Sequence, residues 1–155
     1  MIKIDDLDQR ILSALQRDAA LTHQELALVV RASAPTCQRR VKRLRDLGVI
    51  SKVVGIVDPK HVGEPLIAIV EVSLTTQANE VLDRFEMMMT RVDGVQQCYR
   101  VSTGPDFVLI LALKGMQEYQ AFASAHFTIA NEVRNVRTFF SVKRGKFDTV
   151  IPIAA

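Results

Sequence analysis

Apolar side chains at Leu7, Ile11, Leu12 and Leu15 follow an i, i+4, i+5, i+8 spacing, which predicts a helix with one buried face. After Asp18-Ala19-Ala20-Leu21, Thr22 is placed to cap a second helix. Glu25 lies three positions on to complete a capping box, and Leu26, Ala27 and Val30 carry the apolar face forward. A third helix is expected from about Ser33: Pro35 suits a first turn, where its missing N–H would be unpaired anyway, and Gly48 suits the stop. Three short helices with a tight turn before the third make a helix-turn-helix. The β-branched run VISKVVGIV, Val49 to Val57, reads as a strand or wing closed by Asp58-Pro59.

Residues 58–65, DPKHVGEP, hold two prolines and a glycine without apolar period, and are expected to link two domains. Beyond them the period changes. Strands are expected over Leu66–Leu74, Val95–Ser102, Phe107–Leu113 and Val136–Val142. Helical faces are marked by Val81, Leu82, Phe85, Met88, Met89 and Val92, and by Met116, Tyr119, Phe122, Ala123, Phe127 and Ala130. The order βαββαβ defines an α+β chain with a ferredoxin-like second domain. The turn Thr103–Asp106 is too short for a parallel crossover, so the second and third strands form a hairpin. The expected division is therefore 1–57 winged helix-turn-helix, 58–65 linker and 66–155 sheet domain.

Two helices cover one face of such a sheet, yet in IAIV and FVLILAL residues pointing to both faces are apolar. A second copy of the chain is expected to cover the other face, by sheet-to-sheet or edge-to-edge pairing.

At 155 residues and 48% hydrophobic content the chain has material for real cores. No stretch approaches the roughly eighteen apolar residues of a membrane span, and the acidic start MIKIDDLDQR is unlike a secretory signal, so a cytoplasmic protein is expected. Cys37 and Cys98 form no CxxC, and His23, His61 and His126 occur singly; neither a disulfide framework nor a metal site is indicated, and no cofactor motif or catalytic constellation is found.

The net charge of +3 becomes informative once divided along the chain. Residues 31–60 carry eight basic and two acidic side chains, +6, whereas residues 1–30 sum to −2 and residues 61–155 to −1. Five of those bases, Arg39, Arg40, Lys42, Arg43 and Arg45, fall within seven positions of the third helix. A charge run on a helix is commonly just a solvated face. Here Asp46 is the one acidic residue in the helix, too few for i, i+4 pairing, and the helix is the one that enters a major groove in this motif. With Cys37, Val41 and Leu44 turned inward, a double-stranded DNA surface is expected from Ser33, Ala34, Pro35, Thr36, Gln38, Arg39, Arg40, Lys42 and Arg43. The short first-turn residues would approach phosphates and base edges.

The segments LDQRILSALQRDAALTHQELALVV and SAPTCQRRVKRLRDLGVI, followed by a sheet domain containing QQCYRVSTGPDFVL, resemble the Lrp/AsnC family of feast/famine transcriptional regulators. The resemblance runs from about Asp5 to Val150. It implies a winged DNA-binding domain, with the binding motif on about His23 to Lys42, and a prokaryotic, cytoplasmic, nucleoid-associated protein. It also implies a second domain that dimerises, assembles into octamers or similar rings and binds an amino acid effector between subunits. Family position puts the effector pocket around Ser102, Thr103, Gly104, Pro105 and Asp106, where glycine and exposed N–H groups would take a carboxylate and the aspartate an ammonium. Without the resemblance, the sequence favours reading Gly104-Pro105-Asp106 as a plain hairpin turn.

Two departures stand out. Arg31-Ala32 precedes the third helix where the family carries glycine, and a left-handed backbone there would cost Arg31 roughly 1 kcal/mol. Thr103 occupies the family's glycine position in the effector loop, with Gly104 one place late. Two other classes fit the same frame: a nucleoid-type protein that bends DNA with little sequence preference, and a haem-precursor decarboxylase similar in both domains, which would have no reason to keep a basic third helix.

Overall fold

The computed structural model describes residues 3–153. They form two compact units, one running to Ile56 and taking in the segment that begins at Lys146, the other Val57–Gly145.

In the first unit, α1 (Asp6–Leu15), α2 (His23–Val30) and α3 (Ala34–Asp46) follow the expected order. Each begins with a side-chain cap. The Asp5 side chain accepts from the Asp8 amide at 2.9 Å and the Asp5 amide donates back to Asp8 Oδ2 at 3.4 Å, and Thr22 and Glu25 form the capping box read from their spacing. Ser33 caps α3, with Pro35 in its first turn. Gly48, at φ +71°, ends α3, and the amide of Val49 returns to the Leu44 carbonyl at 2.9 Å. Ile11, Leu26, Val30, Cys37, Val41 and Leu44 make the core, with Leu7, Leu12 and Leu15 only partly buried around it.

Two expectations for this unit need correction. Residues 51–57 form no strand, and Val53, Val54, Ile56 and Val57 are exposed. β-branched residues favour a pleated surface, but a strand needs a partner ladder, and none is offered among the described residues. The sheet domain also stops short of the C-terminus. Gln16 holds the segment after Lys146 to the three-helix unit: its Nε2 donates to the Ile151 carbonyl at 3.1 Å and its Oε1 accepts from the Ile151 amide at 2.8 Å.

The second unit contains β1 (Leu66–Leu74), α4 (Asn79–Met89), β2 (Val95–Arg100), β3 (Phe107–Leu113), α5 (Met116–His126) and β4 (Val133–Phe140). Sheet order is β2-β3-β1-β4 with every neighbouring pair antiparallel, the split βαββαβ arrangement expected. The last helix starts at Met116 as expected but ends at His126, short of Phe127 and Ala130, and the last strand shifts towards the N-terminus. The Asn131 side-chain amide donates to the carbonyls of Ala125 and His126 and closes α5, and Glu132, left-handed at φ 62°, turns the chain into β4. Ala68, Val70, Val72, Phe107, Leu109 and Leu111 face the helices and bury completely against Phe85, Met89 and Phe122. Ile67, Ile69, Ile110 and Phe139 lie on the open face, where Ile69 keeps 38% and Phe139 47% of its surface. No helix among the described residues is long and apolar enough to cross a membrane.

Candidate nucleic-acid interface and small-molecule cleft

Helix α3 buries Cys37, Val41 and Leu44, which fixes what its other side presents. Pro35, Gln38, Arg39 and Lys42, spaced i, i+3, i+4, i+7, form an exposed stripe. Among the described residues neither Arg39 nor Lys42 has an ion-pair or hydrogen-bond partner. At the N-terminus of the helix the Ser33 hydroxyl donates to Thr36 Oγ1 at 2.8 Å and accepts the Thr36 amide at 3.3 Å, while Ala34 is half-buried.

Arg40 and Arg43 do something else. Arg40 Nη1 bonds Asp5 Oδ2 at 2.5 Å and Asp8 Oδ1 at 3.1 Å; Arg43 Nη1 bonds Asp8 Oδ2 at 3.0 Å, and its Nη2 reaches the Lys3 carbonyl at 3.1 Å. The Asp8 amide, and after it the Arg40 guanidinium, hold the Asp5 carboxyl below its usual range, while Asp5 and Asp8 push Arg40 up. Arg39, Arg40, Lys42 and Arg43 are all expected at a DNA surface, and the structure gives Arg40 and Arg43 carboxylate partners as well. Two of them tie α3 to α1, because acidic residues 32 and 35 positions earlier fold against them.

Arg31, closing α2, takes φ 55° and ψ 56°, so the left-handed turn exists and a non-glycine residue bears its strain. In the loop Ser102 to Asp106, where the family resemblance puts an effector pocket, the left-handed position falls on Gly104 at φ +88°, and Thr103 is spared it. The expected glycine position has moved one place with the residue that needs it.

That loop borders a cleft of about 230 Å³ lined by Gly104, Pro105, Glu71, Ser73, Asn135 and Arg137. Pairing of β1 with β4 sets Glu71 opposite Arg137 and Ser73 opposite Asn135 on the open sheet face. Arg137 donates to Glu71 Oε2 through Nε at 2.8 Å and Nη2 at 2.5 Å. One cation, one anion, a hydroxyl and an amide suit a small molecule carrying both charges. Ser102 and Thr103 are exposed and do not line this cleft. Asp106 is withdrawn from it: 9% exposed, its Oδ2 accepts the Leu74 amide at 2.7 Å. The four strand residues lining the cleft had a sequence signal, a polar i, i+2 pair interrupting an apolar strand in EVS and again in NVR.

A cationic helix exposed on a three-helix unit, joined to a βαββαβ unit whose open face carries a polar cleft, fits the class of DNA-binding regulators that carry a ligand-binding domain. A model of the winged helix-turn-helix DNA-binding domain matches residues 4–51, and one of the Lrp/AsnC ligand binding domain matches residues 67–151. The chain belongs to the Lrp/AsnC family of transcriptional regulators. An uncharacterized HTH-type transcriptional regulator of Sinorhizobium fredii is 38% identical over 98% of this chain and 90% of its own length. The crystal structure of an AsnC family transcriptional regulator from Agrobacterium tumefaciens aligns at TM-score 0.83 with 31% identity, covering 96% of each chain. A transcriptional regulator from Neisseria meningitidis, solved as an L-Met complex, aligns at TM-score 0.80 with 26% identity, covering 97% of each.

Proposed function

We propose that this transcriptional regulator binds double-stranded DNA through the outer stripe of α3. Gln38 and Arg39 are placed for base edges, Lys42 for phosphate, and the first turn, Ser33 to Thr36, for close approach to the backbone. The observation that carries this reading is that Arg39 and Lys42 are exposed and lack an ion-pair or hydrogen-bond partner among the described residues, while Arg40 and Arg43 beside them are paired with Asp5 and Asp8. Gel shifts on a duplex selected from a random pool test it. Arg39→Ala should lower affinity by about 5- to 150-fold if the side chain reads a base. Unchanged affinity in Arg39→Ala and Lys42→Ala together rejects the interface.

The cleft beside Gly104 and Pro105 is the effector site in this reading, and an amino acid the effector. The Neisseria relative solved with L-Met supports that class. Residues 58–65 act as the linker between the two functions. The open sheet face, with Ile67, Ile69, Ile110 and Phe139, is the surface on which a second copy packs. Such dimers assemble into an octamer or similar ring in the cytoplasm, associated with the nucleoid. The protein acts by binding, without catalysis. Light scattering at micromolar concentration that found only a 17.3 kDa particle would reject the assembly. A thermal-shift screen of the twenty amino acids tests the effector. A nucleoid-type binder without sequence preference would show a steep salt slope and no preference for the selected duplex.

A further inference from the structure

The carboxylate of Asp8 is buried, with its side chain 1% exposed, and it is the meeting point of two guanidinium groups from successive turns of α3. A carboxylate withdrawn from water is stable only when paired and hydrogen-bonded. Here each oxygen has its own arginine, Oδ1 taking Arg40 at 3.1 Å and Oδ2 taking Arg43 at 3.0 Å. Asp5, one turn before Asp8, adds a second hold on Arg40. We propose that Asp8, assisted by Asp5, is the positioning residue of the DNA-reading helix: it draws Arg40 and Arg43 away from the polyanion and sets the rotation of α3 about its own axis.

Rotation follows from the spacing. Arg40 and Arg43 occupy one flank of the helix, three residues apart, so two anchors a turn apart resist both rolling and tilting. With that flank tied to α1, the stripe of Gln38, Arg39 and Lys42 is left outward. The clamp also decides which cations count. Unclamped, Arg40 and Arg43 would be attracted to any phosphate, which raises affinity for all duplexes alike and carries no sequence information. The clamp therefore trades total attraction for discrimination.

This inference rests on α3 being the DNA-reading element, and the test separates the two. Full-length protein is titrated, across a range of salt, with a duplex that wild type selects from a random pool and with poly(dI-dC). Asp8→Asn keeps the side chain's volume and an oxygen for the capping bond, but removes the charge. Binding to poly(dI-dC) should strengthen, on the order of three- to tenfold at low salt, and its log–log salt slope should steepen by about one to two as freed guanidinium groups meet phosphate. Preference for the selected duplex should fall by tenfold or more. Adding Arg40→Gln and Arg43→Gln should remove the gain on poly(dI-dC) without restoring preference.

A residue that only stabilised the fold would weaken both bindings together, and that parallel loss, or an unchanged preference, overturns the proposal. Should Asp8→Asn fail to fold, Asp5→Asn decides. Asp5 is 42% exposed and asparagine caps helices as well as aspartate, so this variant folds and releases Arg40 partially. An unchanged slope and preference in it overturn the proposal. Wild type that selects no duplex would remove the underlying reading as well; wild type that selects one, with variants moving in parallel, removes only the clamp.

Discussion

Asp106 Oδ2 accepts the backbone N–H of Leu74 at 2.7 Å. The pairing of β1 with β3 ends at Val72 and Phe107, and the ladder to β4 shifts register between Ser73 and Leu74. At that irregularity, the Asp106 carboxylate supplies the acceptor for an amide at the strand end, while its own N–H donates to the Val72 carbonyl at 2.9 Å. The residue closes the strand ends. Asp106→Ala should destabilise the sheet unit by about 1–3 kcal/mol, the cost of a buried amide left unpaired, and Asp106→Asn, which keeps an acceptor, by less. Urea unfolding of both variants checks this. An alanine variant of full stability that had lost only ligand binding would return Asp106 to the cleft.

Glu71 and Arg137 behave differently. Arg137 is 66% exposed and Glu71 26%, so their ion pair contributes less than about 1 kcal/mol to folding. Arg137→Ala should leave the unfolding midpoint nearly unchanged and abolish the thermal shift produced by whichever amino acid binds wild type. Glu71→Ala should do the same by removing the partner for an ammonium group. Retention of the shift in both variants would place the ligand elsewhere.

Why the sequence located the helices better than the sites follows from the range of the interactions. Thr22 with Glu25, Ser33 with Pro35, and Cys37, Val41 and Leu44 are local signals, and α2 and α3 formed where those signals placed them. Likewise Leu66–Leu74 and Phe107–Leu113 coincide with β1 and β3 to the residue. Three features depend on partners far along the chain. Arg40 and Arg43 look like any exposed cation until α1 brings Asp5 and Asp8 beside them. Glu71 and Arg137 meet only through the register of β1 with β4. Val53 to Val57 has strand propensity without a strand to pair with among the described residues.

Arg31 offers a test of backbone strain. At φ 55° and ψ 56° its Cβ sits in a region that costs an L-residue about 1–2 kcal/mol, whereas glycine enters it freely. Glycine also loses more entropy on folding, which offsets part of the gain. Arg31→Gly should therefore stabilise the three-helix unit by about 0.5–1 kcal/mol, seen as a higher urea midpoint of the helical signal. A lower midpoint would mean that the side chain, rather than the backbone, decides the stability at this turn.

The acid response of the same unit follows from three carboxylates. Asp5 lies below the ordinary aspartate value of 3.8, first through the Asp8 amide and then through Arg40. Glu25 lies below 4.5 through the amide and hydroxyl of Thr22, and Asp148 below 3.8 chiefly through the Val150 amide. A depressed folded-state pKa means that the unfolded chain binds the proton more readily. The stability contributed is complete above the unfolded values and is lost as pH falls through the folded ones. The three-helix unit should hold a constant urea midpoint from neutral pH down to about 5, then weaken progressively below about 4.5. Asp5→Asn with Glu25→Gln should lower the neutral plateau and flatten the acid limb, because neither replacement takes up a proton. An acid limb as steep as that of wild type would show that other carboxylates carry the linkage.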